Sequence, residues 1–273
     1  MKPSRLSLSV FLCAIVVTFF AAVDADAQVR FVDKSATGAN NGTSWQNAFT
    51  TIQPAIDAMF AAGGGQVWVA GAPGGVVYNE ARTELWGGPT AYAGSLVMKD
   101  NVAVYGGFEG WRGGTGQQET LLNQRAPGIN VTVINGATSR AGSPAYHVVV
   151  FGKGAAPTVG SRLDGFQITG GNAAGVSGVY HAYRGGGIYN WRSNPVIANC
   201  RIYGNTASVS GGGVANEGIS GDAAAAQYIN CVIDGNTATR NLDWQSNPAR
   251  GGGGLFINLS TPQVIHCTIT ANT

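Results

Sequence analysis

The sequence predicts an all-β fold, a solenoid of stacked coils with a short α-helix near its N-terminus. Three observations support this prediction: a repeat in the second half of the chain, a period of two in the apolar residues of that repeat, and 42 glycines among 273 residues. Ordering a glycine in a helix or strand costs about 0.5–1 kcal/mol more conformational entropy than ordering an alanine. This many glycines therefore indicate a recurring position at which the backbone requires glycine. A turn repeated in every coil would meet that demand.

The repeat consists of a triple glycine followed by a cysteine block. The triple glycines lie at 185–187, 211–213 and 252–254, and the cysteines hold one repeat position, as Cys200, Cys231 and Cys267. Apolar residues alternate through each block, which is typical of a strand with one buried face. We therefore expect equivalent residues to stack about 4.8 Å apart. The expected columns contain the cysteines, the isoleucines that follow them, and the turn residues Asn205, Asn236 and Asn272.

The cysteines have a functional alternative, a metal or redox site. One cysteine in each coil, without a nearby set of histidines, lacks the spacing of metal ligands. The column therefore predicts packing, and the sequence predicts no metal site.

The N-terminal segment predicts secretion. Lys2 and Arg5 precede an apolar run over 6–22, and Ala25-Asp26-Ala27 provides small residues for signal-peptidase cleavage. A membrane anchor is the alternative, but the run is short for a bilayer span. Residues 1–27 are thus expected to be a signal peptide, and the remaining chain is expected to be secreted, extracellular or on the outer cell surface, without a further transmembrane span.

The remaining chain divides into a cap and a stack. Residues 28–65 are expected to hold an N-terminal strand and a capping helix over 52–62, with Thr51 as its N-cap. Residues 66–273 are expected to form the coils, the early ones at the apolar runs 67–70, 96–98, 102–105, 131–134 and 147–151. Because the last repeat ends at Thr273 with no capping element, we expect further coils or an anchoring domain beyond it.

The charge balance excludes one class of partner. Sixteen basic and fourteen acidic residues give a net charge of +2, which cannot make the concentrated positive field that nucleic-acid binding requires. The expected partner is an extracellular polysaccharide or a cell-surface glycan.

Several segments together carry a resemblance to a known family. These segments are Phe31-Val32-Asp33, residues 38–45, the helix, residues 102–108, residues 163–172 and the triple-glycine coils. With them the chain resembles bacterial secreted right-handed parallel β-helix repeat proteins of the pectin-lyase-like fold, and its coils are similar to the repeats of polymorphic outer membrane proteins. The resemblance implies a single-stranded right-handed parallel β-helix (solenoid) with a short N-terminal capping α-helix. It implies no single activity, because this fold hosts lyases, hydrolases, adhesins and spacers.

Catalytic residues are hard to assign from the sequence. The acidic residues after residue 27 are scattered, and the motifs of the polygalacturonases and pectate lyases of this fold find no matching positions. His181 with Asp243 or Glu217 is the candidate acid–base pair. No cofactor is expected, although the resemblance implies calcium if the chain is a lyase.

A candidate ligand surface surrounds the first triple glycine. Aromatic faces stack on sugars and arginines pair with carboxylates. The candidate ligand-binding residues are Tyr180, Tyr183, Arg184, Trp191 and Arg192, together with Trp244 from an insertion in a later coil. The alternative is that these side chains only cover the edges of the coils.

The sequence therefore leaves three functions open. The expected function is adhesin-like and non-catalytic, in which loops are presented for glycan or surface binding. The alternatives are a polysaccharide lyase or glycoside hydrolase of the pectin-lyase-like fold, and a passive structural spacer.

Overall fold

The computed structural model describes residues 28–83, 93–152, 157–175, 180–221, 224–239 and 251–273. These residues form a right-handed parallel β-helix with one α-helix, α1 (Ile52–Ala61). Short 3-10 turns lie at Arg112–Gly114, Leu122–Gln124 and Tyr180–Tyr183. The strands are β1 (Val29–Val32), β2 (Gly65–Ala70), β3 (Val76–Tyr78), β4 (Leu96–Val97), β5 (Val102–Phe108), β6 (Thr132–Asn135), β7 (Val149–Phe151), β8 (Arg162–Asp164), β9 (Gln167–Thr169), β10 (Asn172–Ala173), β11 (Ile188–Trp191), β12 (Val196–Ala198), β13 (Arg201–Tyr203), β14 (Thr206–Ala207), β15 (Val214–Glu217), β16 (Gln227–Ile229), β17 (Val232–Asp234), β18 (Thr237–Ala238), β19 (Leu255–Asn258), β20 (Gln263–Ile265) and β21 (Thr268–Thr270).

The strands of the described residues pair in parallel in four sheets that run along the stack. The seven-stranded sheet has the order β1-β2-β5-β8-β12-β16-β20, and the six-stranded sheet has the order β21-β17-β13-β9-β6-β3. The five-stranded sheet has the order β19-β15-β11-β7-β4, and β10, β14 and β18 form the fourth sheet. Successive coils thus contribute successive strands to a sheet, so residues at equivalent repeat positions become neighbours.

The predicted columns are present. Cys200 and Cys231 are buried, and the backbone N–H of Cys231 donates to Cys267 Sγ at 3.3 Å. The Asn205 amide donates to Asn236 Oδ1 at 3.0 Å, and the Asn236 amide donates to Asn272 Oδ1 at the same distance. Burial raises the pKa of the Cys200 thiol, so that thiol stays neutral inside the stack.

The second glycine of each triple explains why the repeat is rich in glycine. A Cβ added at Gly212 would lie 2.3 Å from the carbonyl oxygen of Thr237, and one added at Gly186 would lie 2.3 Å from that of Thr206. The backbone of a later segment passes so close to this glycine that no side chain fits there.

The cysteine block differs from its prediction in one respect. It is two strands joined by a bend, because Asn199 and Asn230 take the left-handed conformation, with φ of 51° and 52°. Asparagine tolerates that conformation better than most residues do. The alternation of apolar residues continues through the bend, so the period of two does not reveal it.

The cap lies where the sequence places it. Ile52, Ala55, Ile56 and Met59 are buried, and α1 packs against β1, β2 and β5. The helix ends at Ala61, and the Thr51 side chain makes no capping hydrogen bond, contrary to expectation.

The predicted signal peptide, residues 1–27, lies outside the described residues. Within the ranges that the structure describes, no helix is long and apolar enough to cross a membrane.

Candidate functional site

The candidate site lies on the outer face of the five-stranded sheet. This face is covered instead of facing water: Tyr189, Ala215 and Val150 are buried there together with Ala182 from the 3-10 turn Tyr180–Tyr183. The turn brings His181 over β11. The turn is closed by a backbone hydrogen bond in which the Arg184 N–H donates to the His181 carbonyl oxygen at 3.2 Å. A loop that precedes β11 thus folds back onto the strand that it leads into.

A buried carboxylate lies at the centre of this face. Glu217 ends β15, where it pairs in register with Trp191, and its side chain is 1% exposed. The Arg184 guanidinium binds Glu217 Oε1, and the Tyr189 hydroxyl donates to Glu217 Oε2 at 2.8 Å. A buried charge is stable only with such partners.

Glu217 is ionised in this setting. Burial alone would raise its pKa, but the polar and charged groups around the carboxylate, His181, Arg184 and Tyr189, outweigh burial and lower the pKa below its ordinary value of 4.5. An ionised carboxylate can only accept hydrogen bonds. The Tyr189 hydroxyl must therefore donate its single proton to Glu217.

This constraint fixes which ring nitrogen of His181 carries a proton. His181 Nδ1 lies 2.5 Å from the Tyr189 hydroxyl oxygen and 3.9 Å from Glu217 Oε2. Since the Tyr189 proton points to Glu217, the hydrogen bond between His181 and Tyr189 must be donated by His181 Nδ1–H to the Tyr189 oxygen. In the neutral ring, Nε2 is then the basic nitrogen. We call Glu217, Tyr189 and His181 the carboxylate–tyrosine–histidine relay.

The relay reaches the surface at its histidine end. The His181 side chain is 30% exposed, and its ring packs edge-on against Trp191 with centroids 4.8 Å apart. A histidine whose Nδ1 proton is held from inside and whose side chain is partly exposed is suited to exchange a proton with a bound molecule.

A second histidine, His147, packs against the Tyr189 ring of the relay. His147 is fully buried, stacks on Tyr189 with ring centroids 4.9 Å apart, and its Nδ1 lies 2.9 Å from the Gly185 carbonyl oxygen. Burial lowers the pKa of His147 to about 4, so this ring is neutral at physiological pH.

The structure brings together part of the residues that the sequence singled out. His181 and Glu217, the candidate acid–base pair, lie in one cluster. Tyr183 and Trp191 are half-buried at its edge, and Arg192 follows Trp191, with its backbone N–H donating to the Glu217 carbonyl at 2.8 Å.

Arg184 requires a correction. We expected its guanidinium at the surface as a ligand-binding group, but its side chain is 1% exposed and bound to Glu217. It also lies over the Phe256 ring at 4.9 Å from the centroid. Arg184 therefore holds the carboxylate and is not presented to a ligand.

Three predicted residues cannot be placed in this site. Asp243 and Trp244 lie outside the described residues, and only the backbone of Tyr180 is described.

Sequence reasoning missed Tyr189 and His147. A signal for Tyr189 exists, because its equivalents in the later coils are Ala215 and Phe256, and a polar hydroxyl stands at this outward position in the first coil alone. His147 carries no comparable signal, since its role depends on the loop that folds over it.

Groups of three or more histidine, cysteine, aspartate or glutamate side chains that could hold a metal are absent from the described part of the chain. The comparisons with known proteins do not identify a family. No protein-family model matches the chain, and curated proteins show no significant match. A solved structure that matches is the pectin methylesterase from Aspergillus niger in its penultimately deglycosylated form, with 13% identity, 89% of this chain and 85% of that chain covered, and a TM-score of 0.31. A likeness at that identity and TM-score says nothing about activity.

Proposed function

We propose that the chain is a polysaccharide lyase in which His181 is the general base. The relay carries this proposal, because it ties the proton of a neutral His181 ring to Nδ1, which makes Nε2 the basic nitrogen of a side chain that is 30% exposed. The sequence favoured non-catalytic presentation of loops over this alternative. A buried carboxylate linked through a phenol to a histidine is more than glycan display requires.

The same geometry favours a lyase over a glycoside hydrolase. Hydrolases of sugars use two carboxyl groups placed about 5–9.5 Å apart, one of them able to protonate the leaving oxygen. Glu217 is buried and ionised, with both oxygens bound to Arg184 and Tyr189. It cannot protonate a glycosidic oxygen, so it supports the histidine instead.

The proposed step is a β-elimination on a uronic acid residue. His181 Nε2 removes the proton from the carbon that bears the carboxylate, and the electrons of that C–H bond form a carbon–carbon double bond. The glycosidic oxygen leaves from the next carbon and takes a proton from solvent. Arg192, which follows β11 beside the relay, is proposed to pair with the carboxylate of the substrate.

An ultraviolet assay tests this proposal, because the elimination product contains a conjugated double bond. The chain is incubated with polygalacturonate, alginate and hyaluronate, and the absorbance of the unsaturated product is followed. His181→Ala should lower the rate on the cleaved polymer by about 10²-fold or more. His266→Ala is the matched control, since His266 is an exposed histidine on a distant turn, and it should leave the rate unchanged.

A glycan-binding protein without catalysis is the second candidate. It is favoured by Trp191, a half-buried aromatic ring at the edge of the same site. Binding to a glycan array that is lost in Trp191→Ala, with no unsaturated product from any of the polymers, would select this candidate over the lyase.

A further inference from the structure

A groove lies on another part of the solenoid, where the seven-stranded and six-stranded sheets meet. One wall is a column of outward side chains on neighbouring strands of the six-stranded sheet, Gln167, Arg201 and Val232, which pair in register. Residues of the segment 122–131 and the bends at Asn199 and Asn230 also line the groove. We call this cavity the amide groove; its volume is about 580 Å³.

The size of the groove is that of a ligand site. Small-molecule sites in proteins have volumes of about 300–1,000 Å³. Three neighbouring strands line the groove, so its length along the stack is at least two strand spacings, or about 10 Å. A groove that runs along the coils suits an extended chain better than a compact ligand.

Two asparagines of the lining, Asn199 and Asn230, belong to a ladder of hydrogen-bonded side chains that ends on the buried Asp164. The Asn199 amide donates to Asp164 Oδ1 at 2.8 Å, and the Asn230 amide donates to Asn199 Oδ1 at 2.8 Å. Both asparagines are exposed, although each is held by its neighbour. Each amide retains a second N–H and a further lone pair beyond these bonds, so the ladder presents fixed donors and acceptors at regular spacing.

The charges around the groove are already held in place. Arg201 makes two bonds to Asp234, at 3.0 and 2.7 Å, and Arg125 binds Asp164 at 2.7 Å. The Arg125 guanidinium also lies over the Tyr105 ring, 5.1 Å from its centroid. The lining contains these two arginines and no acidic side chain. Guanidinium groups that are ordered beforehand lose little entropy when they bind a ligand oxygen.

We propose that the amide groove holds a stretch of extended polysaccharide that lies along the solenoid axis, apart from the relay. Sugar hydroxyls both donate and accept, as the amides of Asn199, Asn230 and Gln167 do, and the exposed apolar surface of Val232 can pack against the carbon face of a sugar ring. The absence of carboxylates from the lining admits acidic as well as neutral glycans. The inference shares only the class of ligand with the proposed function, because the groove can bind a polymer whether or not His181 acts on it.

Affinity electrophoresis tests the inference, with gels that contain polygalacturonate or alginate as acidic probes and xylan as a neutral probe. Val232→Trp places a large ring in the groove, and Gln167→Ala removes an amide without adding bulk. Val159→Trp is the matched control, because Val159 is also an exposed valine and lies outside the groove lining. Thermal unfolding of each variant verifies that it is folded.

We expect the unmodified chain to be retarded by at least one gel, and Val232→Trp to weaken that affinity about ten-fold, or about 1.4 kcal/mol. Gln167→Ala should weaken it less, and Val159→Trp should not change it. Retardation by xylan as well as by the acidic gels would identify the hydroxyls as the recognised groups, and retardation by the acidic gels alone would identify the carboxylate.

The inference is overturned if no gel retards the chain, if Val232→Trp and Gln167→Ala both migrate as the unmodified chain does, or if Val159→Trp is affected as strongly as Val232→Trp. His181→Ala separates the two sites, since it should lower the cleavage rate by about 10²-fold and leave the retardation unchanged. Retardation that persists without any cleavage activity would sink the lyase proposal and leave the groove standing.

Discussion

Tyr189 is the residue on which the candidate site depends, because its hydroxyl joins a buried carboxylate to a histidine that reaches the surface. Its ring also packs on His147. The phenyl ring and the hydroxyl therefore have separable roles, packing for the first and proton placement for the second.

Tyr189→Phe separates these roles. The ring and its stacking remain, while the link between Glu217 and His181 is lost, so the lyase rate should fall by about 10²-fold with a loss of stability of about 1 kcal/mol. Tyr203→Phe, on β13, is the control and should change neither quantity. Rates on polygalacturonate or another cleaved polymer, together with urea unfolding, measure both effects, and an unchanged rate in Tyr189→Phe would argue against the relay.

His147 makes stability depend on pH. Its pKa is about 4 in the folded chain and its ordinary value is 6.5. Between these values the unfolded chain binds a proton that the folded chain does not, so the free energy of unfolding falls as the pH falls through this window. The full loss is about 3 kcal/mol, at about 1.4 kcal/mol for each pH unit.

Urea unfolding at a series of pH values checks this expectation. In His147→Gln the slope between about pH 6.5 and about pH 4 should largely disappear. Glu217 acts in a lower window, because its lowered pKa stabilises the folded chain above 4.5 and that stabilisation is lost only as the pH falls below it. A slope that survives unchanged in His147→Gln would show that another group causes it.

At the scale of the element, the turns hold the coils in register. Two asparagine ladders run along the stack, the buried one through Asn205, Asn236 and Asn272, and the exposed one through Asn199 and Asn230. Their burial differs, so their contributions to stability should differ as well.

A pair of substitutions compares the two ladders. Asn236→Ala removes donors to Ile202 O and Asn272 Oδ1 and leaves the N–H of Asn205 without its acceptor, inside the protein. We expect a loss of about 3 kcal/mol. Asn230→Gly keeps the left-handed bend and should cost below about 1 kcal/mol. Equal losses in thermal or urea unfolding would contradict the difference between the ladders.

The elements also show how far the sequence predicts the structure. Repeat spacing and alternation predict the strands, the cysteine column and the buried asparagine ladder, since all of these follow from one coil placed on the next. The bend at Asn199 is hidden because the apolar alternation continues through it. The relay is only half predictable: His181 and Glu217 attract attention by their chemistry, whereas the participation of Tyr189 requires the turn at 180–183 to fold back over the sheet.

At the scale of the whole molecule, stacking turns a sequence repeat into long surfaces, and loops make these surfaces differ. The five-stranded sheet is covered by a turn that brings the relay together, and the junction of two other sheets is walled by the segment 122–131 to form the amide groove. Both loops lie far in sequence from some of the coils that they contact. This distance is why the repeat predicts the fold well and the sites poorly.

The most direct test of the proposed function is the appearance of an unsaturated uronate product from an acidic polysaccharide. The account predicts that the purified chain forms this product from at least one of polygalacturonate, alginate and hyaluronate, that His181→Ala and Tyr189→Phe each lower the rate by about 10²-fold, and that His266→Ala does not. No product from any of the three polymers, or a rate in His181→Ala equal to that of the unmodified chain, would contradict it.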